Sequence, residues 1–121
     1  MASREKKEET GAFPFNDTLF FKKRGILHRI KISSILYISA DDDYTITTAE
    51  KGEFISSLRL FEIEKLLEPF SFIKVHRSHL VNINKINSID TKKNVLKVGE
   101  HEVPVSRSNK NLIIEKIQLV R

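Results

Sequence analysis

From Leu19 to Val105 the apolar residues come in short runs, and with one exception a turn signal cuts each run before a helix could develop. Leu19-Phe20-Phe21 and Ile26 to Ile32 flank Lys22-Lys23-Arg24-Gly25, whose glycine suits a hairpin. Ile35-Leu36-Tyr37-Ile38 is nearly continuous and fits a buried strand, and Tyr44 to Thr48 is rich in the β-branched side chains that pack well on a pleated surface. Lys51-Gly52, Thr91 to Asn94 and Gly99-Glu100 supply further turns, and Pro104 places the last strand at an edge or its own position at a strand end. The pattern predicts a mainly β domain of hairpins, about nine short strands with a central and a C-terminal helix as covers.

The exception is Leu58 to Glu68. Leu60, Ile63 and Leu67 recur at helical spacing beside Leu66, Arg59, Glu62, Glu64 and Lys65 take the other face, and Pro69 closes the helix. Its apolar stripe reads as a cover for a sheet face, with a partner-binding helix as the alternative. A second helix is expected around Leu112, Ile113, Ile114 and Ile117, after a polar stretch from Ser106 to Asn111 in which either Ser106 or Ser108 can cap it.

A chain of 121 residues accommodates one such domain. Residues 1–17 show no period and are expected to form a flexible arm or linker remnant, leaving 18–121 as the domain. The chain has no cysteine, which excludes disulfides, thiolate metal sites and cysteine nucleophiles. Its longest charge-free stretch, Ile32 to Ala40, is far too short to cross a bilayer, and the N-terminus lacks the apolar segment of a signal peptide. A cytoplasmic protein with no membrane partner is expected.

The net charge of +5 is unevenly placed. Residues 69–121 carry ten basic and four acidic side chains, a net of +6, while residues 18–68 carry eight of each. A one-sided basic field suits a polyanion, nucleic acid first. Within the basic half two segments share one design, an exposed Arg-Ser pair after a β run: Arg77-Ser78, and Arg107-Ser108 with Lys110 beyond it. Guanidinium groups grip phosphate or the O6/N7 edge of guanine, and serine hydroxyls add shorter contacts. A solvated turn with its arginine in an ion pair is the bland alternative for each.

Enzymatic chemistry finds little support. His76 and His79 lie in strand and turn sequence with no acidic third ligand nearby, and Asp41-Asp42-Asp43 lacks the spacing of a calcium loop. There is no Gly-x-Ser-x-Gly elbow and no glycine-rich phosphate loop. No catalytic residue, metal or cofactor is expected.

From about Thr18 to Val120 the sequence resembles a LytTR-type DNA-binding domain, the effector module of many bacterial response regulators. Five stretches in order carry the likeness: Ile35-Leu36-Tyr37-Ile38 with Asp43-Tyr44, Ser57-Leu58, Phe72-Ile73-Lys74-Val75-His76-Arg77-Ser78-His79-Leu80-Val81-Asn82, Ile86 with Ile89, and Val103-Pro104-Val105-Ser106-Arg107. The resemblance implies a mainly β fold of about nine to ten short antiparallel strands in small sheets with few helices, and loops that enter successive stretches of major groove in promoter DNA carrying repeated half-sites. It implies Arg77 and Arg107 as principal base or phosphate contacts, and Ser78, Ser108 and Lys110 on the backbone. Asp43-Tyr44-Thr45 would be a third contact, with His76 and Asn82 bracing the loop. A receiver or sensor domain, or a partner protein, would control the module. Two positions depart from the family pattern. Asp43 stands where asparagine is common, and His79 where an aromatic is usual. A β-rich protein-interaction module and a nonspecific polyanion or RNA binder are the competing readings.

Overall fold

The computed structural model describes residues 17–120. The expected arm of residues 1–17 therefore lies, except for Asp17, outside the described residues.

The chain opens with a hairpin, β1 (Thr18–Lys23) and β2 (Ile26–Lys31). Its two-residue turn puts Arg24 and Gly25 at φ of 54° and 78°, the positive-φ geometry whose twist matches that of paired strands. The centre is a five-stranded antiparallel sheet made of β3 (Ile35–Asp41), β4 (Tyr44–Ala49), β5 (Gly52–Ser56), β6 (Phe72–His76) and β7 (His79–Asn82). Its order is β5-β4-β3-β7-β6, so β3 is hydrogen-bonded on both sides. A smaller sheet of β8 (Ile86–Asp90), β9 (Val95–Val98) and β10 (His101–Pro104) has the order β10-β9-β8. Pro104 thus ends an edge strand, where its missing N–H leaves no ladder position unpaired.

Two cores form because the central sheet is covered on both faces. Leu80 enters a cluster with Ile35, Ile38, Phe54 and the inner side chains of the β1–β2 hairpin. The next residue, Val81, joins Ile73, Val75 and the apolar faces of β9 and β10 on the other side. This is the alternation of a strand, both sides of which find apolar partners. In β3 a register shift between Ile35 and Tyr37 interrupts the alternation, so Leu36 and Tyr37 both turn to the second core while Ile35 and Ile38 face the first. At the β9–β10 turn Gly99 has φ of 59°, and a Cβ there would lie 3.3 Å from Leu36 Cδ1. The small sheet thereby packs its turn against β3.

Helix α1 (Leu60–Leu66) covers the first core with Leu60 and Ile63, and Leu67 follows at its C-terminus. It starts two residues later than the apolar spacing suggests. Ser56 Oγ accepts from Leu58 N (3.0 Å) and Glu62 Oε1 from Arg59 N (2.8 Å), which fixes the chain's approach to the helix. Leu66 lies half exposed rather than in the stripe. Helix α2 (Arg107–Lys116) places Ile113 in the second core. It begins at Arg107, earlier than expected, because Ser106 caps it: Ser106 Oγ accepts from Asn109 N at 3.3 Å.

Candidate nucleic-acid interface

Three segments meet at one end of the five-stranded sheet. The β3–β4 turn (Asp42, Asp43) and the β6–β7 turn (Arg77, Ser78) are neighbours because Ser39 pairs with His79, and Ala40 N donates to Ser78 O at 2.8 Å. The third is the start of α2. Ser106 N donates to Val75 O at 2.9 Å, which docks the residue before Arg107 on the strand that ends just before Arg77. Residues remote in sequence are joined there by main-chain hydrogen bonds, so their relative placement does not depend on flexible side chains. Arg77 and Arg107 are both exposed, and neither makes an ion pair with another described residue.

The β6–β7 turn is held from within. Ser78 Oγ lies 3.0 Å from Nδ1 of His76 and 3.0 Å from Nδ1 of His79, and Ser78 N donates to His76 Nδ1 at 3.3 Å. The two imidazoles meet edge to face at 5.5 Å, and His79 also lies against Tyr37 at 6.3 Å. Burial lowers the affinity of His79 for a proton, and the charge His76 acquires when protonated lowers it further.

On the β3–β4 turn Asp42 takes φ of 50°, a conformation that aspartate tolerates better than most residues. The Tyr44 hydroxyl donates to Asp41 Oδ2 at 2.9 Å. That hydrogen bond, reinforced by the carboxylate's charge, raises the Tyr44 pKa. Between this turn, the start of α1 and the β6–β7 turn lies a cleft lined by Asp42, Tyr44, Arg59, Phe61, Lys74 and Arg77. Three cations and one carboxylate thus border a single depression.

The LytTr DNA-binding domain family matches residues 25–118. This chain belongs to the LytTr DNA-binding domain family. A solved LytTr DNA-binding domain, of a putative methyl-accepting/DNA response regulator from Bacillus cereus, superposes with a TM-score of 0.72 at 31% identity, covering 82% of this chain and 94% of that one. The transcriptional regulatory protein YpdB of Escherichia coli K12 is 33% identical over 98 residues, 77% of this chain and 40% of YpdB. The sensory transduction protein LytT of Bacillus cereus is 32% identical over 84 residues, 65% of this chain and 34% of LytT. This LytTr domain therefore spans well under half the length of the curated relatives it matches.

Several side chains singled out from sequence lie elsewhere than expected in the LytTr domain. Thr45, expected in the third DNA contact, is 1% exposed, so its side chain has no surface to offer DNA. Thr45 shares the covered face of β4 with Thr47, while Tyr44 is exposed, and Thr45 Oγ1 is buried without a hydrogen-bond partner. Asn82 braces the opposite end of β7 rather than the Arg77 turn. Its Nδ2 donates to Ile35 O at 2.9 Å and its Oδ1 accepts from Asn84 N at 3.1 Å, capping a short 3-10 turn at Ile83–Lys85. Arg107 and Ser108 form the first turn of α2 rather than a free loop. Ser108 is exposed, its Oγ 3.3 Å from Ser106 Oγ, and Lys110 Nζ donates to Thr91 O at 3.3 Å. Sequence reading assigned no contact to Arg59 or Lys74. Lys74 lies on the strand that leads into Arg77, which was a signal, but only the fold brings Arg59 to the cleft. Among the described residues no helix is long and apolar enough to cross a membrane.

The cap gives a direct test of the α2 docking. Ser106→Ala is expected to lower stability by about 0.5–2 kcal/mol, the range for a lost N-cap. Urea denaturation should show a reduced midpoint with an unchanged slope.

Proposed function

We propose that this LytTr domain is a sequence-specific, non-enzymatic reader of promoter DNA and the output module of a bacterial transcriptional regulator. The observation that supports it most is the Ser106 N to Val75 O hydrogen bond, which joins the segments that carry Arg77 and Arg107, both exposed and without an ion pair among the described residues. In this reading Arg77 and Arg107 address base edges or phosphates, as planar donors suited to both. Ser108 and Lys110 hold backbone phosphate beside the N-terminus of α2, whose exposed amides and dipole favour an anion. Asp43 and Tyr44 form a third contact, with Asp43 as an acceptor for the amine of cytosine. Ser78, with its hydroxyl turned to two histidines, leaves the set of phosphate ligands.

The domain reads repeated half-sites in the cytoplasm under the control of a receiver or sensor unit, in a longer chain or as a separate partner. The names of YpdB, LytT and the Bacillus cereus response regulator support that setting.

The test is a salt titration with a duplex selected from a random library and a scrambled duplex of the same composition. Affinity should fall steeply with salt for both, while a gap persists between them. Equal affinities for the two duplexes would leave only a nonspecific polyanion binder, and no affinity for either would leave a protein-interaction module. Lys110→Ala is expected to weaken both duplexes alike and to lower the salt slope by about one unit.

A further inference from the structure

We infer that His76 and His79 are positioning residues which together hold the Ser78 hydroxyl and so fix the turn that presents Arg77. The inference rests on the DNA-reading role proposed above, and it assigns a task to His79, which departs from the family's usual aromatic.

Hydrogen accounting makes the arrangement specific. Ser78 N–H points at His76 Nδ1, so that nitrogen must carry a lone pair and His76 must hold its proton on Nε2. The Ser78 hydroxyl has one proton to give and sits 3.0 Å from each Nδ1. Opposite polarity at all three contacts is met in one way: the amide and the hydroxyl of Ser78 share the single lone pair of His76 Nδ1 as donors, and His79 donates its Nδ1–H to the hydroxyl oxygen. The opposite direction would point an Nδ1–H of His76 at the Ser78 amide proton. The turn is thus stitched by a one-way chain from His79 through Ser78 to His76, while Ala40 N anchors the Ser78 carbonyl from the other side.

The chain responds unequally to protons. A second proton on His79 goes to Nε2 and leaves every contact in place. A proton on His76 must go to Nδ1, where it faces the Ser78 amide N–H and reverses the direction of the hydroxyl contact. His76 on β6 is the titratable group that acts on His79 through space, and Tyr37 faces it from β3. His101 on β10 lies behind Tyr37, 5.5 Å away. Losing the Ser78 hydroxyl or the His79 donor therefore loosens the aim of Arg77. Lost aim separates from a lost phosphate contact in a binding experiment, because it affects the selected duplex alone while a phosphate contact serves every duplex.

Two measurements test this. Imidazole nitrogen NMR of the DNA-free protein at pH 7.5 should find His76 protonated at Nε2 and His79 at Nδ1. Binding to selected and scrambled duplexes should then be compared at pH 7.5 for the wild type, Ser78→Ala and His79→Phe. His79→Phe keeps a ring against Tyr37 and removes the donor. At pH 7.5 each substitution is expected to narrow the gap between duplexes about fivefold, the equivalent of one lost hydrogen bond. Equal weakening of both duplexes by Ser78→Ala would make Ser78 a phosphate ligand and overturn the inference. An unchanged gap in His79→Phe would reduce His79 to packing and overturn it too. If His79→Phe does not fold, the tautomers and Ser78→Ala still decide. A wild type with no gap at all refutes the DNA-reading role instead, and the tautomers then decide this inference alone.

Discussion

Ile38→Ala is expected to lower the stability of the domain by about 2–5 kcal/mol, the range for truncating a fully buried isoleucine. Ile38 is 0% exposed and lies in the first core with Ile35, Phe54, Leu60 and Leu80. The cost has two parts, the apolar surface that no longer leaves water on folding and the cavity left behind. The cavity part should be large here because the backbone cannot shift to fill it. Ile38 pairs with Thr47 on β4 and with Leu80 on β7, so β3 is held from both sides. Ile55→Ala on β5 is the control: its side chain is 65% exposed, and surface changes of that kind usually stay within about 0.5 kcal/mol. Both follow from denaturant midpoints at constant slope. A loss below about 1 kcal/mol at Ile38 would fall under the range for a packed core position and sink the description of the first core.

Much of this architecture was legible in the sequence because the signals were local. Gly25 supplied the residue that suits the positive φ of a tight hairpin, and the spacing of Leu60, Ile63 and Leu67 marked the face that α1 buries. The family series from Ile35 to Arg107 then set the order of the elements. What escaped was decided by neighbours remote along the chain or by which face of a strand is covered. Thr45 lies with Thr47 on the covered face of β4 while Tyr44 is exposed, and the β-branched run from Thr45 to Thr48 carries no polar-apolar alternation that would mark that face. Asn82 belongs to the same motif as Arg77, yet β7 carries it to the other end of the sheet, where its amide serves Ile35 and Asn84. The start of α2 escaped because Ser106 to Asn111 contains no apolar residue to set a period. Only the cap marks it, and two serines competed for that role. Arg59 is the clearest case, a helix-surface cation by spacing and a neighbour of Arg77 by fold.

Arg107→Ala is expected to weaken binding to the selected duplex by about 1–3 kcal/mol while changing the scrambled duplex less, as for a lost bidentate base contact. Arg107 sits in the first turn of α2, exposed and without an ion pair among the described residues, so its removal leaves no orphaned partner in the protein. Stability should therefore stay nearly constant, which separates this variant from Ser106→Ala next to it. Arg77→Ala should act in the same direction. The double variant carries the geometric content. The Ser106 N to Val75 O bond ties the two segments together, so their arginines meet one duplex as a unit and the two losses should depart from additivity. Strict additivity would mean that each arginine reads DNA independently of the other. If instead Arg107→Ala left the selected duplex bound as before, Arg107 would lose its place as a reader, and discrimination would pass to the β6–β7 and β3–β4 turns.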